Sequence, residues 1–385
     1  MQKTGNITLF FECFQEIHLV KDPFLVPYYL GKMMNYDVSI VYPILPENKN
    51  LPNSYRGASL IPVELCGTPR SMIWKRYAKV VEYLSKNAKK IDVFITFFGG
   101  FISELLVKAY KKYNPDGKVY VKLDINPDKL HARFWEFPFD WSVNHILRRK
   151  YFSLVDIASC ETTRAYEKIK SGRIRNRNYG DKLIIVPNGI DEEEIQNMGF
   201  GESDVAQKEK IMLTVGRLGV YDKNTEMLLQ ALHNVEFQDW KFIMVGPVDA
   251  NFQKKKEEFI NSNPQLSDKV IWTGAITDRK KLYELLNRSK VFVFTSRFES
   301  FGLVLIEALR FSNYLVSTPV GAAPDIIKSN VGQLVPINDV DRLSEVLQGI
   351  IDNNVSIEDA FTIFDFSQLS WETRLQKVVK LLKGD

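Results

Sequence analysis

Two glutamates eight residues apart, Glu299 and Glu307, have the type and spacing most suited to chemistry in this 385-residue chain. They lie in VFVFTSRFESFGLVLIEA, residues 291–308. The segment opens with an apolar run, Val291 to Phe294, short enough for a buried strand. It turns polar through Thr295, Ser296, Arg297, Glu299 and Ser300. From Phe301 it reads as a helix, with Gly302 near the first turn and Leu303, Ile306 and Leu309 at helical spacing. A strand feeding a helix through a polar, glycine-containing turn aims free backbone N–H groups at an anion. Eight helical residues rotate by about 80°, so the two acids do not share a face. Glu299 belongs at the mouth of such a site and Glu307 further along its wall. Two acids would repel a bare phosphate, but carboxylates accept strongly from hydroxyls. A diphosphate flanked by ribose and hexose, as in a nucleotide-sugar, has the matching layout.

Written out, Glu299-Ser-Phe-Gly-Leu-Val-Leu-Ile-Glu307 resembles the E-x7-E signature of the GT4-type, or group 1, retaining glycosyltransferases with the GT-B fold. The plain alternative is a helix with one capping and one exposed glutamate. Two further stretches share the resemblance. VPNGID, residues 186–191, looks like the family's interdomain linker, and VGRLGVYDKN, residues 215–224, looks like its phosphate clamp. The loop Gly321 to Asp325 is similar to another that lines the site in relatives. The resemblance implies that Gly216, Arg217 and Lys223, with the amides of Ser300, Phe301, Gly302 and Leu303, hold a diphosphate. It further implies that Glu307 takes ribose hydroxyls and Glu299 sugar hydroxyls, and that Ala275 and Ile276 present main-chain groups to a nucleobase. Retention and independence of metal and cofactor are likewise implied by the family.

The elements around these motifs alternate between strand and helix. Expected strands in the first half are Asn6 to Phe11, Asp37 to Tyr42, Asp92 to Phe97, Val119 to Asp124, Leu154 to Ser159 and Leu183 to Val186, with helices at Pro27 to Met34 and Ser103 to Lys112. The second half repeats the pattern from Ile211 to Asp352. Alternation of this kind makes an α/β protein with parallel, doubly wound sheets. With the resemblance, the expectation is GT-B: two Rossmann-like domains facing across a cleft, 1–188 for the acceptor and 189–385 for the donor. A terminal helix, about 370–383, is expected to pack back on the first domain.

In the acceptor half, Phe98-Gly99-Gly100-Phe101 follows a strand and precedes a helix. Gly99 and Gly100 either let backbone approach a ligand or simply make the turn. Asp124 stands where relatives commonly carry a histidine; it orients a sugar hydroxyl, serves as base toward an acceptor hydroxyl, or caps Asn126-Pro127. His131, seven residues on, is the alternative group. The region ECFQEIHLVKDPF lacks the glycine pair of many relatives, which leaves acceptor identity open.

Composition is ordinary for a globular protein, 45% hydrophobic and 25% charged. Three cysteines and four histidines show no disulfide or metal spacing, which favours a reducing cytosol. No signal peptide and no membrane span is read from the chain. Charge is uneven: residues 1–190 hold 29 Lys/Arg and 18 Asp/Glu, a net +11, against −7 in the remainder. With no nucleic-acid motif present, the basic half points to an anionic membrane surface, through Arg70 to Tyr77 and Arg148 to Tyr151. A solvated basic face is the alternative.

The resulting expectation is a cytoplasmic glycosyltransferase, peripheral on the inner membrane face. It moves a hexosyl unit from a nucleoside-diphosphate sugar, UDP favoured, to a glycan or lipid-linked acceptor in cell-surface polysaccharide synthesis. A non-catalytic GT-B partner subunit and a nucleotide-sugar epimerase or hydrolase are the competing readings.

Overall fold

The computed structural model describes residues 3–127, 150–171 and 178–384. The chain forms two compact units, Met1–Asp191 with Ser370–Asp385, and Glu192–Leu369.

The first unit contains β1 (Gly5–Phe10), β2 (Tyr36–Pro43), β3 (Ser54–Tyr55), β4 (Ala58–Val63), β5 (Val93–Phe97), β6 (Lys118–Leu123), β7 (Ile157–Cys160) and β8 (Leu183–Ile185). Their order in the sheet is β3-β4-β2-β1-β5-β6-β7-β8, and only β3 runs antiparallel, against β4. Strands covered on both faces read as apolar runs, and Val93–Phe97 is buried throughout. The order reverses between β1 and β5, so their carboxyl ends define the crevice where ligands of such sheets bind.

The first helix starts earlier than the sequence suggests. It spans Asp22–Met34, with Pro23 in the first turn and Pro27 inside. Proline suits a first turn because its missing N–H is unpaired there anyway, and Pro23 rather than Pro27 fills that role. The strand expected from Leu154 starts at Ile157, because residues 150–154 are helical. The β3–β4 pair carries weak signals: β3 is two residues long and β4 contains Pro62.

The terminal helix, Trp371–Lys383, is capped by Ser370, whose hydroxyl accepts from the Thr373 N–H at 3.2 Å. Trp371, Leu375 and Val378 are fully buried in the core that holds Phe24, Tyr29 and Leu30 of the first helix. The VPNGID turn stitches this return. Ile190 pairs with Ser370 as a parallel bridge, and a methyl on Gly189 would meet the Trp371 backbone N at 2.7 Å. Asp191 accepts from the Tyr29 hydroxyl at 2.6 Å and pairs with Arg56 at 2.5 Å.

The second unit contains β9 (Glu209–Val215), β10 (Lys241–Val245), β11 (Val270–Gly274), β12 (Ser289–Phe294), β13 (Tyr314–Ser317) and β14 (Gly332–Leu334). All are parallel, in the order β11-β10-β9-β12-β13-β14. The reversal lies between β9 and β12, so the residues just after Val215 and Phe294 occupy the ligand crevice of this unit. The VGRLGVYDKN stretch and the loop that carries Glu299 follow these two strands.

Candidate functional site

Three strand ends of the second unit are knitted together. The Gly216 N–H donates to Val245 O and the Gly246 N–H to Gly274 O, each at 2.9 Å. Gly246 has φ +141, and a Cβ there would lie 1.6 Å from Gly216 O. Only glycine lets the Gly216–Arg217 turn come this close. Arg217 follows with its side chain exposed and makes no side-chain ion pair with another described residue.

Lys223 closes a short 3-10 turn, Tyr221–Lys223, and its stem runs over Gly216, whose Cβ would sit 3.5 Å from Lys223 Cε. Its ammonium pairs with Glu299 and lies 5.3 Å from the centroid of the Phe294 ring. Glu299 also accepts from the Ser296 hydroxyl at 3.1 Å. The two loops are zipped by backbone. The Arg297 N–H donates to Asp222 O at 2.7 Å, Arg297 Nη1 donates to Tyr221 O at 2.7 Å, and the Thr295 hydroxyl donates to Lys223 O at 3.1 Å. A narrow cleft lined by Gly216, Lys223, Phe294, Thr295 and Ser296 remains beside the pair.

The helix Leu303–Arg310 begins here. Gly302 caps it with φ +87, and the first-turn N–H groups lack intrahelical partners. Gly321, φ +56, packs against this turn, where a Cβ would meet Phe301 O at 2.3 Å and Glu299 Cβ at 3.0 Å. Ser300 is half-buried and Phe301 is buried. Glu307, further along the helix, keeps different company: Arg279 Nη2 at 3.3 Å and the Tyr283 hydroxyl at 3.4 Å. Ala275 is exposed and Ile276 half-buried, in the turn after β11 that leads to Arg279. The second unit therefore brings Gly216, Lys223, Glu299 and Ser296 into one cluster, and sets Glu307 in another with Arg279 and Tyr283.

In the first unit, Asp124 directly follows β6 and Gly99 comes two residues after β5, on the neighbouring strand. Gly99 has φ +61, and a Cβ there would meet the Tyr179 hydroxyl at 2.4 Å, so the turn itself demands glycine. Gly100 caps the helix Phe101–Tyr113 in extended backbone with open space around it. Phe98, with φ +67, holds a conformation that costs a bulky residue energy, and it displays a partly exposed ring at this edge. His131 lies outside the described residues.

Beneath Asp124 is a cluster the sequence reasoning missed. Lys122 is fully buried and pairs with Asp22 at 2.9 Å and with Glu161. Burial raises the Asp124 carboxyl above the usual carboxylate range, and raises Glu161 to about 8 against the opposing pull of Lys122. Burial would lower Lys122, but the carboxylates of Asp22 and Glu161 more than offset this and hold it above the ordinary lysine range. With Asp124 and Glu161 both raised by burial, the cluster retains a proton, chiefly on Glu161. The available signal was a lone lysine inside the apolar run VYVKL. Arg279 and Tyr283 had no comparable mark. No group of three or more His, Cys, Asp or Glu among the described residues is arranged to hold a metal ion.

Residues 199–361 match the family model described as "Glycosyl transferases group 1". The second unit belongs to the group 1 glycosyltransferases. Within the curated relatives of this glycosyltransferase domain, the O-antigen chain mannosyltransferase C of Escherichia coli is 27% identical over 185 residues, 46% of this chain and 47% of that protein. The phosphatidylinositol N-acetylglucosaminyltransferase gpi3 subunit of Schizosaccharomyces pombe is 24% identical over 46% of this chain and 38% of that protein. The match thus spans about half the length of these relatives or less. Solved structures align along the whole chain. The lipopolysaccharide outer core galactosyltransferase WaaB has TM-score 0.69 at 16% identity, covering 98% of this chain and 99% of that one. Anabaena HepE in complex with UDP and glucose has TM-score 0.63 at 15% identity, covering 99% and 100%. At these identities the likeness shows the fold, two Rossmann-like α/β units of the GT-B type.

Proposed function

We propose that this protein is a retaining hexosyltransferase that uses a nucleoside-diphosphate sugar, UDP favoured, and delivers the sugar to a hydroxyl of a glycan or lipid-linked acceptor. The observation that carries the reading is the Lys223–Glu299–Ser296 cluster beside Gly216 and the Gly302 helix start, at the switch point of a parallel sheet. An ammonium has three donors, so Lys223 can keep Glu299 and still hold a phosphate oxygen. Arg217, exposed after β9, adds a bidentate fork. The anomeric C–O bond breaks as the acceptor oxygen approaches the same face. The charge growing on the diphosphate is met by these cations and by the amides at Gly302 and Leu303. The departing phosphate oxygen takes the acceptor's proton, which requires no divalent ion. Glu299 engages sugar hydroxyls, Glu307 the ribose, and the first unit the acceptor, near Asp124 and Gly99.

A thermal-shift panel of UDP, GDP and ADP tests donor binding. A cognate diphosphate at 100 times its dissociation constant is expected to add about 2.7 kcal/mol of stability. Labelled donor then tests transfer. Product only in the presence of a glycan or lipid-linked acceptor supports the proposal, release of sugar to water alone points to a hydrolase, and no turnover with any acceptor points to a partner subunit.

Membrane attachment is part of the same reading. No helix among the described residues is long and apolar enough to cross a bilayer. Met72, Ile73 and Trp74 are 68%, 39% and 53% exposed, between Arg70 and the basic pair Lys75 and Arg76. Exposed apolar groups within a basic collar suit the surface of an anionic leaflet. The protein is expected to float with vesicles rich in anionic lipid, and Trp74→Ala to weaken flotation severalfold. Equal behaviour toward neutral and anionic vesicles would remove this attachment.

A further inference from the structure

Glu307 is not presented by its own helix alone. Arg279 Nη2 lies 3.3 Å and the Tyr283 hydroxyl 3.4 Å from the same carboxylate oxygen, Oε1. These two donors are themselves bonded, and the guanidinium lies 5.0 Å from the centroid of the Tyr283 ring. Arg279 Nε is 3.5 Å from Oε2 of Glu194, so the guanidinium is held between two acids from two other helices, Glu192–Asn197 and Leu303–Arg310. Arg279 opens the helix Arg279–Arg288, and its start is fixed by Asp278, which accepts from the Lys280 N–H at 2.9 Å. Tyr283 stands one turn further on. Two donors converging on one oxygen hold a glutamate in one orientation, and the entropy of ordering that side chain is lost on folding rather than on ligand binding.

We propose that Arg279, assisted by Tyr283, is a positioning residue that aims Glu307 at the ribose of the donor and thereby sets discrimination between ribo- and 2′-deoxyribonucleotides. This rests on the reading of Glu307 as the ribose-binding acid. A carboxylate held in one direction rewards a hydroxyl placed to donate to it. A carboxylate free to turn finds water as readily as the 2′-hydroxyl.

The test is calorimetric binding of the nucleoside diphosphate that best stabilises the protein and of its 2′-deoxy counterpart, with wild type, Arg279→Ala, Arg279→Lys and Tyr283→Phe. Wild type is expected to prefer the ribonucleotide by about tenfold or more, the worth of a hydrogen bond to a charged group. Arg279→Ala is expected to lose most of this preference through weaker ribonucleotide binding, with the deoxynucleotide nearly unaffected. Arg279→Lys and Tyr283→Phe, which leave the packing largely intact, should fall between. A purely structural defect would weaken both ligands alike and leave the ratio unchanged. Full discrimination in all three variants overturns the role of Arg279 alone. An absence of discrimination in wild type overturns the ribose reading of Glu307 and this inference with it.

Discussion

Lys223→Ala is expected to lower sugar transfer by on the order of 10²–10³-fold while the protein stays folded. Loss and folding separate because the lysine is partly exposed: its side chain is 24% accessible and that of its partner Glu299 18%. Pairs with this much water contribute about 1 kcal/mol or less to stability. In the variant Glu299 still has the Ser296 hydroxyl and solvent, so nothing is left buried and unpaired. What disappears is a cation beside Gly216 and the helix start, and the charge of a leaving diphosphate grows most in the transition state. Arg217→Ala should act in the same direction, with even less effect on stability, because its side chain is exposed. Steady-state kinetics alongside circular dichroism checks both. Near-normal rates in both variants would show that the diphosphate is held elsewhere.

The second large effect concerns stability. Lys122→Met is expected to destabilise the first unit by about 3–5 kcal/mol, because it strands Asp22 in a buried site without its cation and takes from Glu161 its hydrogen-bond donor. Urea unfolding at pH 7 measures it. The same cluster imposes a pH dependence. Glu161 titrates near 8 in the folded chain, against about 4.3 for an unfolded glutamate. Between those values the folded chain binds more protons than the unfolded one. Stability is therefore fully present below about 4.3 and declines as pH rises toward 8. Lys208 works oppositely. Burial lowers it to about 7, so its contribution improves stability as pH rises from 7 toward the unfolded lysine value. Comparing Glu161→Gln with wild type at pH 5.5 and pH 8 isolates the acid, since Lys208 is common to both. Wild type should lose stability relative to Glu161→Gln over that interval. Parallel curves would mean that Glu161 is charged throughout and that the proton sits elsewhere in the cluster.

Much of the second unit could be read directly from its sequence. Strand β13 falls on Tyr314–Ser317 as its apolar run indicates. The helix Leu303–Arg310 starts at the glycine that marks it. These features are local: a run of β-branched and aromatic residues, a glycine with positive φ, and acids a fixed number of positions apart. The pairing of Lys223 with Glu299, 76 residues apart, is not legible in the sequence, since spacing along the chain carries no distance across a sheet.

The sequence by itself determined the alternation of strand and helix, the two turns that follow β9 and β12, and the acids beyond the second turn, because each depends on neighbouring residues and on backbone preferences they share. Only the tertiary structure decided which oxygen of Glu307 Arg279 grips, that Lys122 lies among Asp22, Glu161 and Asp124, and that Trp371 belongs to the core of Tyr29 and Leu30. Apart from Asp124, two positions from Lys122, those contacts join residues from 28 to over 300 positions apart, and it is sheet order and burial that bring such side chains together and fix their charge.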